Sequence, residues 1–485
     1  MEVCRAKKFY LTNDSDLYYN IAEEIIGRDA TMNKYGAFVI GCSNVGQEVC
    51  AASGRISTQS GTALEIFERS HDKEKNTKLI GKVTKSGHTS TIEHIFFNLA
   101  FENVSVVVEQ FMIEFRLASF TVKSRRYVDF SDCGYLVPEF KCDEDKARYT
   151  AVMDKLFAAY SSLTEMGIPK EDARFVLPYC FYSNFFCSLG GRELINVLNA
   201  MIYGRGSRIK EIYEIGLSLL EQCKELAPGL FIDFELKGQK YNDEPDYGFS
   251  YDEEKSSQEL CEILAYTPDG ESNVALSALF EAGYSPAAAN RIIENEENVK
   301  TILKKLTASS RPRALESYTC TAKFNKVSLA CLTHFARHRM QSICIPNLIR
   351  ADRASYVIPD TVKADSEALA IYKEAFSDML SLYSELKSKG YEDNVLIYCV
   401  LSGNTLDIVT TMNAREMLLF FRLRCCTRAQ WEIQAFANDF LKKLRKISPD
   451  LFSLYGPSCY VHGACPEGKM TCGRAAEIKE IFSNM

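Results

Sequence analysis

Short segments of this chain recur 223 positions apart. FRLASF around Arg116 and Ser119 returns as HRMQSI around Arg339 and Ser342, GREL at Gly191 to Leu194 returns as AREM at Ala414 to Met417, and Glu93 returns as Glu316, all at that spacing. Farther on, APGLF ending at Phe231 returns as SPDLF ending at Phe452, 221 positions later, as expected if a small deletion intervenes. Any one match is cheap, but a constant offset marks a duplicated unit, and a missed repeat misreads the whole architecture. A chain of 485 residues also exceeds one ordinary compact core.

Each copy shows the same order of elements. EHIFFNLAFENV alternates apolar and polar residues like a half-buried strand, and SVVVEQFMIEF continues with apolar residues at helical spacing. The counterparts are ESYTCTAKFNKV and SLACLTHFARHR. DKARYTAVMDKLFAAYSSLTEMG and SEALAIYKEAFSDMLSLYSELKSKG predict amphipathic helices of similar length, each ending near a glycine able to cap it. Both copies finish with long helices, around RELINVLNAMI and REMLLFFRLR. The expected fold class is α+β, helix-rich, with a small antiparallel sheet in each of two tandem copies. The polar stretch KGQKYNDEPDYGFSYDEEKSSQ suggests a linker. The expected divisions are an N-terminal extension (1–35), a first domain (36–235), a linker (236–270), a second domain (271–458) and a cysteine-rich tail (459–485).

Composition narrows the class of function. Apolar residues at 46%, only 13 prolines and no low-complexity tract describe a folded, soluble chain. A net charge of −7 argues against long nucleic acid as a partner, because that binding requires neutralising many phosphates. A small nucleotide needs only a few placed arginines. The start, MEVCRAKKFYLTNDSD, turns polar too soon for a secretory signal, and no run of 18 apolar residues offers a membrane span. A cytoplasmic location follows as the expectation, with most of the 18 cysteines as reduced, packed thiols.

ARHRMQS, Ala336 to Ser342, resembles the Arg-His-Arg-x-x-Ser signature of flavin-dependent thymidylate synthases, whose motif continues to Asn and then Ser-x-Arg-Tyr. SGHTSTIEH (Ser86 to His94) is similar to that family's histidine loop, AASGRIS (Ala51 to Ser57) to its Ala-Ala-Arg-x-Ser segment with two residues inserted, and ARFVLP (Ala173 to Pro178) to its Ala-Arg-x-x-Leu-Pro turn. MNAR at Met412 to Arg415 and AQWEI at Ala429 to Ile433 resemble its last helical region. Neither copy keeps the whole motif, and the losses are complementary. The first has Glu114, Phe115 and Arg116 in place of Arg-His-Arg but retains Ser124, Arg125, Arg126 and Tyr127. The second retains Arg337, His338 and Arg339 but carries Asn347, Leu348, Ile349 and Arg350 where Ser-x-Arg-Tyr belongs.

The resemblance implies methylation of dUMP to dTMP with methylenetetrahydrofolate as one-carbon donor, reduced FAD supplying hydride and NADPH reducing the flavin. The flavin carries the redox chemistry while the protein positions and polarises. Because the family's sites lie between subunits of a homotetramer, a homodimer of a tandem chain is expected to imitate that tetramer, each copy keeping the residues its side supplies. In that scheme Ser124, Arg125, Arg126, Tyr127 and Arg174 bind the nucleotide, the first three offering hydroxyl and guanidinium donors to its phosphate. Arg424 stabilises charge developing on the pyrimidine and is, with His338, the catalytic candidate. Arg337, His338, Arg339, Ser342, Asn413 and Arg415 of the second copy, with His88 and Ser90 of the first, are the expected cofactor contacts.

Thr121 and Val122 stand where the family has Asn and an acidic residue that bridges cofactor and nucleotide. That departure leaves two further functions open: a flavoenzyme for another pyrimidine nucleotide or one-carbon donor, and a nucleotide-binding protein that has lost catalysis. In the tail, Cys459, His462, Cys465 and Cys472 have a spacing compatible with tetrahedral zinc, with reduced thiols as the alternative.

Overall fold

The computed structural model describes residues 36–245, 247–249 and 257–485. The segment expected as an N-terminal extension and the middle of the expected linker lie outside the described residues. The chain forms two compact units. One holds the residues up to Lys123 together with Tyr182–Asp246, and the other joins Ser124–Phe181 to Tyr247–Met485. The second unit therefore contains a 58-residue piece of the first copy.

The first unit is built on four antiparallel strands, β1 (Gly36–Cys42), β2 (Phe96–Ser105), β3 (Ser119–Val122) and β4 (Tyr182–Gly190), in the order β1-β2-β4-β3. The second repeats the plan with β5 (Cys261–Tyr266), β6 (Thr319–Ser328), β7 (Gln341–Cys344), β8 (Asp352–Tyr356) and β9 (Asn404–Asn413), in the order β5-β6-β9-β7 with β8 also on β9. β5 falls inside residues 236–270, where it pairs with β6 from Cys261 opposite Phe324 to Tyr266 opposite Cys320. As the alternation in EHIFFNLAFENV and ESYTCTAKFNKV predicts, β2 and β6 bury one face: Phe97, Leu99 and Phe101 in the first, Cys320, Ala322 and Phe324 in the second.

Irregularities repeat as faithfully as the strands. β2 slips register against β4 between Phe101 and Val104, and β6 slips against β9 between Phe324 and Val327. At each bulge a residue turns to positive φ, Asn103 at 48° and Lys326 at 53°. The amide freed from the ladder is taken up by a side chain, Asn103 N–H by Asn184 at 3.0 Å and Lys326 N–H by Asp407 at 2.8 Å. Each bulged strand then runs directly into a helix. Ser105 caps Val106–Ile113 and gives its N–H and Oγ–H to Glu211, while Ser328 caps Leu329–Ala336 and gives the same two groups to Glu432. A bulge with a positive-φ residue is a costly local conformation, so its recurrence reflects shared descent of the backbone plan and not chance.

Within the second unit, helix Asp143–Glu165 from the first copy packs on helix Ser366–Ser388 from the second. Their buried stripes, Tyr149, Val152, Leu156, Tyr160 and Leu163 against Tyr372, Phe376, Met379, Leu382 and Leu386, follow helical spacing. Tyr149 and Tyr372, 223 positions apart, are both fully buried, and their hydroxyls reach the carbonyls of Leu136 and Val357. Beyond these helices Pro178 pairs antiparallel with Leu401, also 223 positions away, and Tyr179 N–H reaches Val400 O while Ser402 N–H reaches Leu177 O, both at 2.9 Å. Pairing of equivalent residues places a local pseudo-twofold axis at this contact.

Candidate active site

A cleft in the second unit has a volume of about 390 Å³. Helix Leu329–Ala336 runs from the Ser328 cap to its C-terminal end at Arg337, which opens onto the cleft, and His334 lies one turn earlier on the same side. From helix Ala414–Arg424 and the turn after it come Arg422, Arg424 and Arg428. The first copy contributes Ser124, Arg126 and Tyr127. That loop turns on itself, since Ser124 O accepts from Val128 N–H at 3.0 Å and Ser124 Oγ accepts from Arg126 N–H at 3.3 Å.

Charge dominates this cleft. Five arginines and a single carboxylate, Glu467, line it. Arg126 is held by an ion pair with Glu171 and by a hydrogen bond from Nη1 to Arg428 O at 3.1 Å. Arg424 donates Nε–H to Nε2 of His338 at 3.0 Å and Nη2–H to His334 O at 3.1 Å, and burial together with the neighbouring Arg337 pushes its pKa down to about 10. Arg424 thus stays a cation at neutral pH. Burial and the guanidinium groups of Arg174, Arg424, Arg337 and Arg126 push the His334 imidazole well below its ordinary range, so the ring is neutral. Its Nε2 is buried and finds no hydrogen-bond partner among the described residues. A buried polar atom beside several cations is costly unless a ligand completes it, so the cleft is suited to an anion that also carries a polar group.

A family profile described as "Thymidylate synthase complementing protein" matches residues 39–229 and again residues 262–450. The chain belongs to the thymidylate synthase complementing protein family. A flavin-dependent thymidylate synthase of Clostridium tetani is 34% identical over 242 residues, which span 45% of this chain and 95% of the relative. One from Geobacter sulfurreducens is 33% identical over 229 residues, 46% of this chain and 97% of the relative. One from Sulfurisphaera tokodaii is 28% identical over 202 residues, 41% of this chain and 79% of the relative. Each corresponds to about half of the chain, in keeping with its duplication.

In this thymidylate synthase complementing protein family member, the residues singled out in the sequence divide into three groups. Ser124, Arg126, Tyr127, Arg337 and Arg424 come together in the cleft. Arg125, Arg174 and His338 lie behind it. Arg125 is buried against the Phe181 ring, its guanidinium carbon 5.4 Å from the centroid. Arg174 is buried with its Nε–H on Glu171 O at 3.0 Å, and burial beside Arg125 lowers its pKa to about 10. His338 is only 3% exposed, and its Nδ1 meets Glu416 at 2.8 Å while its Nε2 accepts from Arg424. A ring so enclosed has both nitrogens engaged, one by Glu416 and the other by the Arg424 guanidinium.

The remaining candidates lie outside the cleft. Arg339 and Ser342 are exposed, and Ser342 sits on β7 opposite Thr411. Asn413 caps helix Ala414–Arg424 by accepting from Glu416 N–H at 2.9 Å. Arg415 pairs with Glu316 at 2.6 Å, and the first copy repeats the pair as Arg192 with Glu93 at 2.7 Å. His88 and Ser90 are exposed in the first unit, at the start of the turn Thr89–His94.

The set Cys459, His462, Cys465 and Cys472 is not assembled as a metal centre: among the described residues no three or more His, Cys, Asp or Glu side chains are grouped to hold an ion. His462 is exposed, with Arg422 as its charged neighbour. Inspection of the sequence also missed His334, Arg422 and Arg428. His334 lies three residues before Arg337, one helical turn away, and that spacing was the available signal.

Proposed function

We propose that this chain is an FAD-dependent thymidylate synthase that methylates dUMP with methylenetetrahydrofolate and NADPH, and that its nucleotide site is composed from both copies. The supporting observation is one cationic cleft lined by Ser124 and Arg126 of the first copy and by Arg337 and Arg424 of the second. In this reading Ser124 and Arg126 grip the phosphate, and the Glu171 ion pair keeps the Arg126 fork aimed. Arg424 faces the pyrimidine carbonyls and supports the negative charge that makes C5 reactive through donors fixed before the reaction begins. His338 and Glu416 hold Arg424 in place, and His334 Nε2 supplies the polar partner that the base requires.

FAD, when bound, supplies the hydride. The guanidinium of Arg337 and the unpartnered His334 nitrogen suit an electron-rich ring beside the nucleotide, and both line the cleft. A space of about 390 Å³ holds a nucleotide but not the whole of FAD. We assign the rest of the cofactor to Arg339, Ser342, Asn413 and Arg415 with His88 and Ser90 across a homodimer, in a soluble cytoplasmic enzyme. Among the described residues no helix is long and apolar enough to cross a membrane.

The test has two stages. A yellow protein with a flavin spectrum excludes the reading as a nucleotide-binding protein without catalysis, and a colourless one that cannot be reconstituted with FAD overturns the proposal. Tritium release from C5-labelled dUMP in the presence of methylenetetrahydrofolate and NADPH supports thymidylate synthesis. A flavoprotein inert with dUMP would favour a different pyrimidine nucleotide, the reading that Thr121 and Val122 on β3 motivate.

A further inference from the structure

The charged residues of the cleft have counterparts in the first copy. Counted back 223 positions, His334, Arg337, Arg422, Arg424 and Arg428 become Phe111, Glu114, Asn199, Met201 and Arg205. Glu114 closes helix Val106–Ile113 as Arg337 closes helix Leu329–Ala336. Three of the five counterparts meet: Arg205 Nη1 lies 2.8 Å from Glu114 Oε2, and the Arg205 guanidinium carbon stands 5.2 Å from the centroid of the Phe111 ring. Gln110 donates to the other Glu114 oxygen at 3.4 Å. Asn199 and Met201 are buried and bring no cation. The first copy has thus kept this meeting place and lost its excess of positive charge.

The segment leaving the first copy closes the same place. Asp243 accepts the Arg205 backbone N–H at 2.8 Å and sets its second carboxylate oxygen 3.7 Å from Arg205 Nε, while Glu244 reaches Arg208 at 3.2 Å. The fit is tight: a Cβ added to Gly204 would fall 2.7 Å from the Tyr241 ring and would clash with Asp243. The continuation of the second copy takes a different part, because Cys465, Pro466 and Glu467 border the cleft and bring one carboxylate to five arginines. Around Arg205 the ratio is inverted, with two carboxylates to one guanidinium. A phosphate arriving there would meet net negative charge and would have to displace carboxylates tethered to the same chain, whose effective concentration is on the order of millimolar.

We propose that each chain carries a single nucleotide site, in the second copy, and that Glu114 and Asp243 occupy its first-copy counterpart as internal anions, turning a place for a ligand into a clasp on the segment that leaves that copy. The single site rests on the nucleotide reading of the cleft; the clasp rests on contacts within the first unit alone. Arg205 is the hinge of the argument, since it is the one cation retained from the set and its charge is already compensated by Glu114 and Asp243. Arg428, its counterpart, instead lines an open cleft and gives its carbonyl to Arg126. Duplication has therefore divided the work: one copy keeps the cations that receive the ligand, and the other uses the same position to hold its own chain.

The experiment follows hydrogen–deuterium exchange of the full chain by mass spectrometry, reading peptides 199–208 and 422–431 with and without dUMP, and with inorganic pyrophosphate as a simpler anion. Both ligands should slow exchange severalfold in 422–431 and leave 199–208 unchanged, and equilibrium dialysis of labelled dUMP should give about one nucleotide per chain. Asp243→Ala should speed exchange at 199–208 about tenfold while dUMP affinity stays as in the wild type. Two nucleotides per chain, or protection of 199–208 by either ligand, overturns the proposal in the wild-type protein without recourse to a variant. Unchanged exchange at 199–208 in Asp243→Ala, or a loss of dUMP affinity in that variant, overturns the clasp. No bound dUMP at all overturns the nucleotide reading and the single site with it, a result that the stoichiometry separates from two bound.

Discussion

Arg424 Nε–H points at Nε2 of His338 across 3.0 Å, and Glu416 holds the other nitrogen of that ring at 2.8 Å. The arrangement requires a neutral imidazole with its proton on Nδ1, and burial keeps the ring below its ordinary pKa. The first copy has Phe115 at the position equivalent to His338. His338→Phe should therefore leave Arg424 without its anchor and weaken dUMP binding roughly tenfold by calorimetry. The sign of the pH effect follows from the depressed pKa. The neutral ring and its support for Arg424 persist above the ordinary imidazole value of about 6.5 and are lost only as pH falls through the lower folded value, so affinity should fail on the acid side. An affinity unchanged in the variant would remove His338 from the site.

Arg126 and Arg337 come from different copies yet face the same cleft. Each changed to Ala should cost about 1–3 kcal/mol of dUMP binding, and Arg126→Ala should leave the weak binding of deoxyuridine nearly untouched because its proposed partner is the phosphate. Both losses should shrink at high salt. Equal effects of Arg126→Ala on nucleotide and nucleoside would contradict its assignment to the phosphate.

Lys155 and Asp378 are equivalent residues of the two copies, 223 positions apart, and they pair with each other at 3.3 Å across the packed helices. A symmetric pairing of identical subunits could not place opposite charges at one such position, whereas a fused chain can diverge there. Lys155→Asp should destabilise the fold by about 0.5–1 kcal/mol in urea titration, and the double variant Lys155→Asp with Asp378→Lys should recover most of it. Additive losses would show that the pair makes no net contribution.

Glu432 receives both donors of Ser328, yet complete burial raises its pKa from 4.5 to about 7. A raised carboxyl favours the fold while protonated, so this contribution is whole below pH 4.5 and is lost as pH rises to about 7. The loss is on the order of 3 kcal/mol. Glu432→Gln should flatten that part of the stability profile and raise the melting temperature at pH 8 relative to the wild-type chain. Parallel profiles from pH 5 to 8 would show that Glu432 is ionised in the fold.

The duplication, the strand-into-helix order of each copy and the long amphipathic helices were all legible along the chain, because repeats and periodicity are one-dimensional patterns. Arg337 and Ser124 were legible through local motifs, and their complementary loss already suggested a shared site. His334, Arg422 and Arg428 were not, since nothing in their local sequence distinguishes a cleft arginine or histidine from a surface one. The same limit hid the surroundings of His338, whose enclosure by Glu416 and Arg424 joins elements 78 and 86 positions away.

The primary structure was sufficient for two copies of one α+β plan and for the residues each had kept. It could not reveal that Ser124–Phe181 leaves its own copy to pack with the other, or that Cys426 lines the same cleft as Cys459, Cys465 and Cys472. Local chain order sets helices, strands and caps through short-range hydrogen bonds and side-chain periodicity. Partnership between distant segments depends on which buried surfaces and charges fit in three dimensions, a property that no spacing along the backbone encodes.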